Sequence, residues 1–256
     1  MSTEKSNKYA VPALDKGLDI IEYLASKAVP LSQTEIAQGI ERSPNEIYRV
    51  LVGLENRGYL IRDSISGKYS VSLKLFSISR KIFPIDQIRQ TAIPIMEDFS
   101  AHSGYAAHLC ILHQSQVMVI VHSRSHEPIS LSIAEGTLFP TVENTSGLVL
   151  LANSNESVKQ LIYDRSKSYL KMNKKTKAAL EQQLQEILTD GHCFRTNLLT
   201  EGVTDCVAII GQPKGAVIAT LGVSVLTSSL GDEESKRQLI QSLKETAHKI
   251  NEQLGC

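Results

Sequence analysis

The sequence predicts an α+β chain in two parts, a small helical unit followed by a larger unit built on an antiparallel sheet. Three patterns predict it. Two Ser-x-x-Glu signatures, Ser32-Gln33-Thr34-Glu35 and Ser43-Pro44-Asn45-Glu46, stand close together near the N-terminus. In such a pair the serine hydroxyl and the glutamate carboxylate each satisfy an orphan amide of a helix start, so two short helices joined by a tight turn are expected. Strand-like runs separated by turn residues then recur from Tyr105 to Val225, with helical stretches between them, the layout of an α+β domain. Finally, 42% of the 256 residues are hydrophobic, enough to bury cores for two ordinary domains.

The elements follow in order. Residues Ala13–Ala25 carry Leu14, Leu18, Ile21 and Leu24 at helical spacing, one expected buried stripe. Gly17 weakens that helix by ~1 kcal/mol relative to alanine. The helix behind Ser32 buries Ile36 and Ala37. The helix behind Ser43 starts with Pro44, whose missing N–H costs nothing there, and buries Ile47, Val50, Leu51 and Leu54. It stops at Arg57-Gly58, where glycine can adopt the left-handed cap. Tyr59–Arg62 and Lys68–Ser72 read as strands around the turn Asp63-Ser64-Ile65-Ser66-Gly67. Three helices and a two-stranded hairpin make a winged helix-turn-helix. Leu73–Ile82 reads as a linker helix closed by Pro84, so the expected division is 10–72, 73–84 and 85–256.

In the second unit, Ile85–His102 is expected as a helix interrupted at Pro94. Tyr105–Leu112 and Val117–Ser123 form a hairpin, and Pro128–Ala134 a further strand. Helices are expected at Thr145–Asn153, Ser157–Tyr163 and Thr176–Thr189, the last ended by Gly191. Strands are expected at Cys193–Asn197, Val203–Ile210 and Val217–Val225, the last two joined at Pro213-Lys214-Gly215. A final helix starts at Asp232 and ends near Leu254, and Met1–Lys8 reads as a polar arm.

Composition limits the function classes. Lysine and arginine number 27 against 27 acidic residues, so the net charge of +0 gives no bulk attraction to nucleic acid. Four cysteines, Cys110, Cys193, Cys206 and Cys256, lack CxxC spacing, which fits a reducing cytoplasm. No apolar run is long enough to span a membrane. His108 and Cys110 share a strand face, with His122 and His126 nearby, but their spacing matches no metal motif. Hydrolase and nucleotide-binding signatures are missing too, so neither an enzyme nor a cofactor is expected.

The third helix suits a DNA groove. Its apolar side holds its own domain, and Asn45, Glu46, Tyr48 and Arg49 fall on the other side or its margins. Arg49 can donate in bidentate fashion to guanine and Asn45 can pair with adenine, while Tyr48 suits a phosphate or a thymine methyl. Ser32, Arg42 and Ser43 are placed for phosphates near helix starts, and Lys68 for the wing's contact. Residues 42–80 hold seven basic against three acidic residues, a local charge of +4. Glu46 fits least well, since a carboxylate accepts only from cytosine. The alternative is a metabolite-binding module or enzyme whose winged helix serves protein interaction only.

Assembled, these residues resemble the IclR family of bacterial regulators. Ala13-Leu14-Asp15-Lys16-Gly17-Leu18-Asp19-Ile20, Ser43-Pro44-Asn45-Glu46-Ile47-Tyr48-Arg49 and Leu54-Glu55-Asn56-Arg57-Gly58-Tyr59-Leu60 are similar to its N-terminal motifs. Gly147 with Leu150-Leu151-Ala152, Glu201-Gly202-Val203-Thr204-Asp205 and Gly215–Ser224 are similar to its C-terminal ones. The resemblance implies a dimer or dimer of dimers on double-stranded operator DNA. It also implies a GAF-like C-terminal domain that binds a small organic effector, often a carboxylate. The implied pocket comprises Asn144, Thr145, Ser146, Gly147, Asp205, Gly222 and Ser224. Departures occur at Val142-Glu143 and at Asp205, where the family often has histidine-alanine and cysteine. Two carboxylates facing the ligand would disfavour an anion and suit a hydroxylated or sugar-derived one.

Overall fold

The computed structural model describes residues 11–79, 81, 85–211 and 219–255. The expectations for the N-terminal arm, for Arg80 and Pro84, and for the turn Pro213-Lys214-Gly215 fall outside them. The chain divides between residues 83 and 84 into two compact units.

In the first unit, α1 (Pro12–Lys27), α2 (Gln33–Gly39) and α3 (Pro44–Asn56) precede β1 (Leu60–Arg62), β2 (Tyr69–Val71) and α4 (Lys74–Ser79). Both Ser-x-x-Glu pairs close at a helix start, although the Ser43 hydroxyl donates to its glutamate instead of accepting an amide. Ser32 Oγ accepts from the Glu35 amide at 3.3 Å, and the Glu35 carboxylate accepts from the Ser32 amide at 2.7 Å. Before α3, the Glu46 carboxylate accepts from both the N–H and the Oγ of Ser43, each at 2.8 Å. A left-handed Gly58 follows α3. The hairpin turn is held by Asp63, whose carboxylate accepts from Ile65 and Ser66 amides. Leu31 pairs with Tyr69 on the outer side of β2, tying the wing to the start of α2.

The core joins Ile20 and Leu24 of α1 to Ile36, Ile47, Leu51, Leu60 and Tyr69. This corrects the expected stripe of α1. Gly17, Ile20 and Leu24 face inward, whereas Leu14 and Leu18 are 57% and 48% exposed. Gly17 lies so close to α3 that a Cβ there would sit 3.7 Å from Val50. With that side facing in, Leu14 and Leu18 give α1 a second apolar strip outside. The linker helix is short, and α4 buries none of its residues.

The second unit runs α5 (Ile85–Ser103), β3 (Ala107–His113), β4 (Gln116–Ser123), β5 (Leu138–Pro140), α6 (Thr145–Ala152), α7 (Glu156–Arg165), α8 (Lys167–Lys171), α9 (Lys174–Asp190), β6 (His192–Thr196), β7 (Val203–Ile210), β8 (Ala219–Leu226) and α10 (Glu233–Leu254). The strands form one sheet in the order β5-β4-β3-β8-β7-β6, antiparallel throughout. Leu109, Leu221, Val223 and Ala208 pack against Ala92, Met96 and Phe99 of α5 and Leu243 and Ile250 of α10. On the opposite face, Val207 and Cys193 meet Leu148 and Leu151 of α6 and Leu184 of α9.

Two expectations are corrected here. Pro94 does not interrupt α5, which is continuous through it. Proline removes one helical hydrogen bond, but buried Ala92, Met96 and Phe99 hold both halves on the sheet. The expected strand Pro128–Ala134 does not form; Leu138–Pro140 pairs with β4 instead. Pro128 offers no backbone donor, and the loop is hooked by side chains, with Ser125 Oγ donating to Gly104 O at 2.5 Å.

Candidate functional site

Two groups of side chains were expected to carry function, one in each unit. In the first unit, burying Ile47 and Leu51 turns the opposite side of α3 outward. Asn45, Glu46, Tyr48 and Arg49 are all exposed, as are Arg42 and Ser43. Tyr48, at 52% exposure, is a large ring with no burial in its own domain to explain it. The angle between α2 and α3 is fixed by Gln33, whose Nε2 donates to Pro44 O at 2.8 Å. The hydroxyl end of the Tyr23 ring of α1 packs against Gly39, where a Cβ would meet the ring at 2.0 Å. Sequence reasoning did not single out either contact.

Glu46 is accounted for by its own domain. Its carboxylate sits on the α3 cap and 3.6 Å from Lys16 Nζ. The Ser43 backbone bond, then its hydroxyl and the lysine, hold it below the usual carboxylate range. Lys68 Nζ is 3.8 Å from the Glu35 carboxylate, so the wing lysine stands beside the start of α2.

In the second unit, a cavity of about 200 Å³ opens on the α6 side of the sheet. Four of the seven expected residues line it: Asn144, Ser146, Asp205 and Ser224. The other three act behind the wall. Thr145 Oγ1 donates to Asp205 Oδ2 at 2.6 Å. Gly147 lets α6 start against Thr141, whose carbonyl oxygen lies 2.0 Å from where a Cβ would stand. Gly222 makes room for the His108 ring, whose Nε2 is 2.5 Å from the corresponding position. Glu143 is not among the lining residues, which removes one of the two suspected carboxylates.

Asp205 organises the cavity. It is 3% exposed and accepts from Thr145, from Asn197 Nδ2 at 2.8 Å and from Ser224 Oγ at 2.8 Å. Strand register explains part of this, since Asp205 lies directly across from Ser224 on β8. Asn197 was missed by sequence reasoning. Its Oδ1 accepts from the Leu199 and Thr200 amides, an Asx turn that folds this loop over the cavity. Leu131, Ser132 and Ile133 of the hooked loop close another side with Phe139.

His108 and Cys110, which the sequence places on one strand face without a metal motif, line the cavity as well. Burial pushes the His108 pKa down to about 4; nearby Asp205 opposes this and His122 adds to it. The imidazole is neutral at pH 7. Burial pushes the Cys110 thiol up to about 12, against a hydrogen bond from Ser146, so it is no nucleophile. Cys206 points to the other face and packs among the α5 and α10 contacts. Among the described residues, no group of three or more His, Cys, Asp or Glu side chains is placed to hold a metal. Nor is any described helix long and apolar enough to cross a membrane.

The comparisons with known proteins agree with both units. Residues 13–64 match the IclR helix-turn-helix domain, and residues 84–252 match the bacterial transcriptional regulator IclR C-terminal domain. The HTH-type transcriptional regulator KdgR of Escherichia coli K12 is 28% identical over 87% of this chain and 85% of its own length. BhcR, an HTH-type transcriptional regulator of Paracoccus denitrificans, is 27% identical over 87% of this chain and 80% of its own. Among solved structures, the Thermotoga maritima IclR superposes with a TM-score of 0.73 at 20% identity, covering 95% of this chain and 98% of that one. An IclR homolog from Microbacterium hydrocarbonoxydans, complexed with 4-hydroxybenzoate, gives 0.73 at 19% identity, covering 93% and 97%. With a helix-turn-helix in the first unit, a curled antiparallel sheet in the second and family matches across both, the chain belongs to the IclR family of bacterial transcriptional regulators.

Proposed function

We propose that this regulator reads double-stranded operator DNA with Asn45, Tyr48 and Arg49, and that a small organic effector bound around Asp205 controls its grip. The observation that carries the DNA reading is the outward face of α3, polar and exposed on a helix whose other side is locked into the core. Arg42, Ser43, Ser32 and Lys68 supply phosphate contacts around it, and Glu46 serves the cap rather than a base. Arg49→Ala tests this. Operator affinity measured by fluorescence anisotropy drops by about 1–3 kcal/mol per half-site, the worth of a bidentate base contact, while the melting temperature stays put. Unchanged affinity would favour the reading in which the winged helix serves protein contacts.

Effector control rests on the cavity, where apolar Leu131, Ile133, Phe139 and Val203 stand beside converging polar groups around Asp205, the mixture that orients a ligand. The IclR homolog complexed with 4-hydroxybenzoate supports a small organic ligand for a chain of this fold. We also propose a homodimer or dimer of dimers. Leu14 and Leu18 of α1 and Leu75 and Ile78 of α4 are exposed apolar residues, and a second copy would cover them. The linker (73–84) then joins a DNA-binding domain (10–72) to an effector domain (85–256). Three unpaired buried cysteines, Cys110, Cys193 and Cys206, suit the reducing cytoplasm.

A further inference from the structure

We infer that the cavity takes an uncharged, hydroxyl-bearing small molecule and discriminates against carboxylates. This rests on the reading of the cavity as the effector site and narrows its ligand class.

Charge is the first argument. No lysine or arginine is among the described residues lining the cavity, and its one acidic residue is Asp205. Arg195, the cross-strand partner of Asp205, turns away to Gln183 of α9. An anion bound here would face a buried carboxylate with no cation beside it, where salt screens little. At the start of α6, Asn144 Oδ1 already accepts the Gly147 amide, and the amides that remain there are neutral donors that serve an alcohol oxygen as well as a carboxylate.

The placement of hydrogens is the second argument. A serine hydroxyl has one hydrogen to give, and that of Ser224 goes to Asp205 Oδ1. Thr145 spends its hydrogen on Oδ2. Asn197 also donates to Oδ2, and its own oxygen is taken by two backbone amides. Ser224 therefore offers lone pairs to the cavity, so a ligand oxygen meeting it must bring a hydrogen. An ionised carboxylate has none. An alcohol has one, and it still accepts from the amide group of Asn144. The cavity, about 200 Å³, is also smaller than the roughly 300–1,000 Å³ of drug-sized sites.

Asp205→Asn tests both arguments. Its oxygen can keep the bonds from Thr145 and Asn197, and its NH2 can donate to Ser224 Oγ, so the wall is preserved. The charge is gone, and the Ser224 hydrogen is freed toward the ligand. The full-length protein and this variant would be titrated calorimetrically with matched pairs: 4-hydroxybenzyl alcohol and 4-hydroxybenzoate, propane-1,2-diol and lactate, erythritol and erythronate. Melting curves confirm that the variant is folded. The native protein is expected to bind the alcohol at least about tenfold more tightly in any pair it binds, and Asp205→Asn to shift that ratio toward the acid by about tenfold or more. A native protein that prefers the acid, or a ratio unmoved by the substitution, overturns the inference. Millimolar concentrations of every compound giving no heat with either protein would remove the effector-site reading itself, and this inference with it.

Discussion

The two candidate surfaces, the outward side of α3 and the cavity around Asp205, are built on opposite plans. On α3 the working side chains point outward and touch little, while the residues beneath them do the holding. Around Asp205 the side chains proposed to work are also the structure: Asn197 and Ser224 line the cavity and bond the carboxylate at once, and Thr145 bonds it from behind the wall. The difference teaches where function and stability separate. A groove-reading face can be stripped without loosening its domain, whereas the cavity cannot lose its central residue without losing its shape.

The most severe break of that contrast is Asp205→Ala. It strands one buried donor, Thr145, and two part-buried ones, Asn197 and Ser224; at about 1–3 kcal/mol for the buried donor and less for the other two, urea unfolding should show a loss of about 3–4 kcal/mol. A loss near zero would mean the network is decorative. Arg49→Ala is the counterpart, with a large affinity loss and an unchanged unfolding midpoint; a fall in the midpoint would put Arg49 on the wrong side of the comparison.

Proton linkage gives the next effect. The folded-state pKa of His108, about 4, lies below its ordinary 6.5. Between those values the unfolded chain binds the extra proton, so stability is full above pH 6.5 and falls as the pH drops toward 4. The full shift corresponds to about 3 kcal/mol. Stability measured from pH 7 to 4.5 should fall, and His108→Leu should flatten that part of the curve. On the winged-helix side, Glu46→Gln weakens the α3 cap and the Lys16 pair together, which a small drop in melting temperature would register. Smallest is Gly17→Ala. Its new methyl meets Val50 at an ordinary 3.7 Å, and helix propensity favours alanine by up to ~1 kcal/mol, so the melting temperature should rise slightly. A fall would mean that α1 and α3 are packed closer than the core requires.

The same contrast explains what could be read in advance. The first unit is specified by short-range chemistry, so Ser32, Ser43, Pro44 and Gly58 disclosed its helices and their ends. The expected α1 stripe failed because two apolar strips share one helix and periodicity does not say which meets α3. The second unit depends on register. Asp205 and Ser224 could be named from the family resemblance, but nothing near Asn197 announces that it reaches Asp205. In the segment expected as a strand over Pro128–Ala134, the apolar residues meet a cavity and solvent instead of a sheet, for Leu131 and Ile133 line the cavity while Ile129 is 83% exposed.

The central strand pair of the sheet, in which Leu109 lies across from Leu221, also sets an order of assembly. Contacts within the winged helix close over short stretches of chain, which folds fast. The middle of the second sheet must wait until residues 219–226 have left the ribosome and found β3. The DNA-reading unit is therefore complete while the effector unit is still open along its central seam, and a nascent chain stalled before β8 exposes the unpaired edge of β3. Such an edge invites pairing with another chain, so truncation just before Ala219 should yield an aggregating protein rather than an effector-blind regulator.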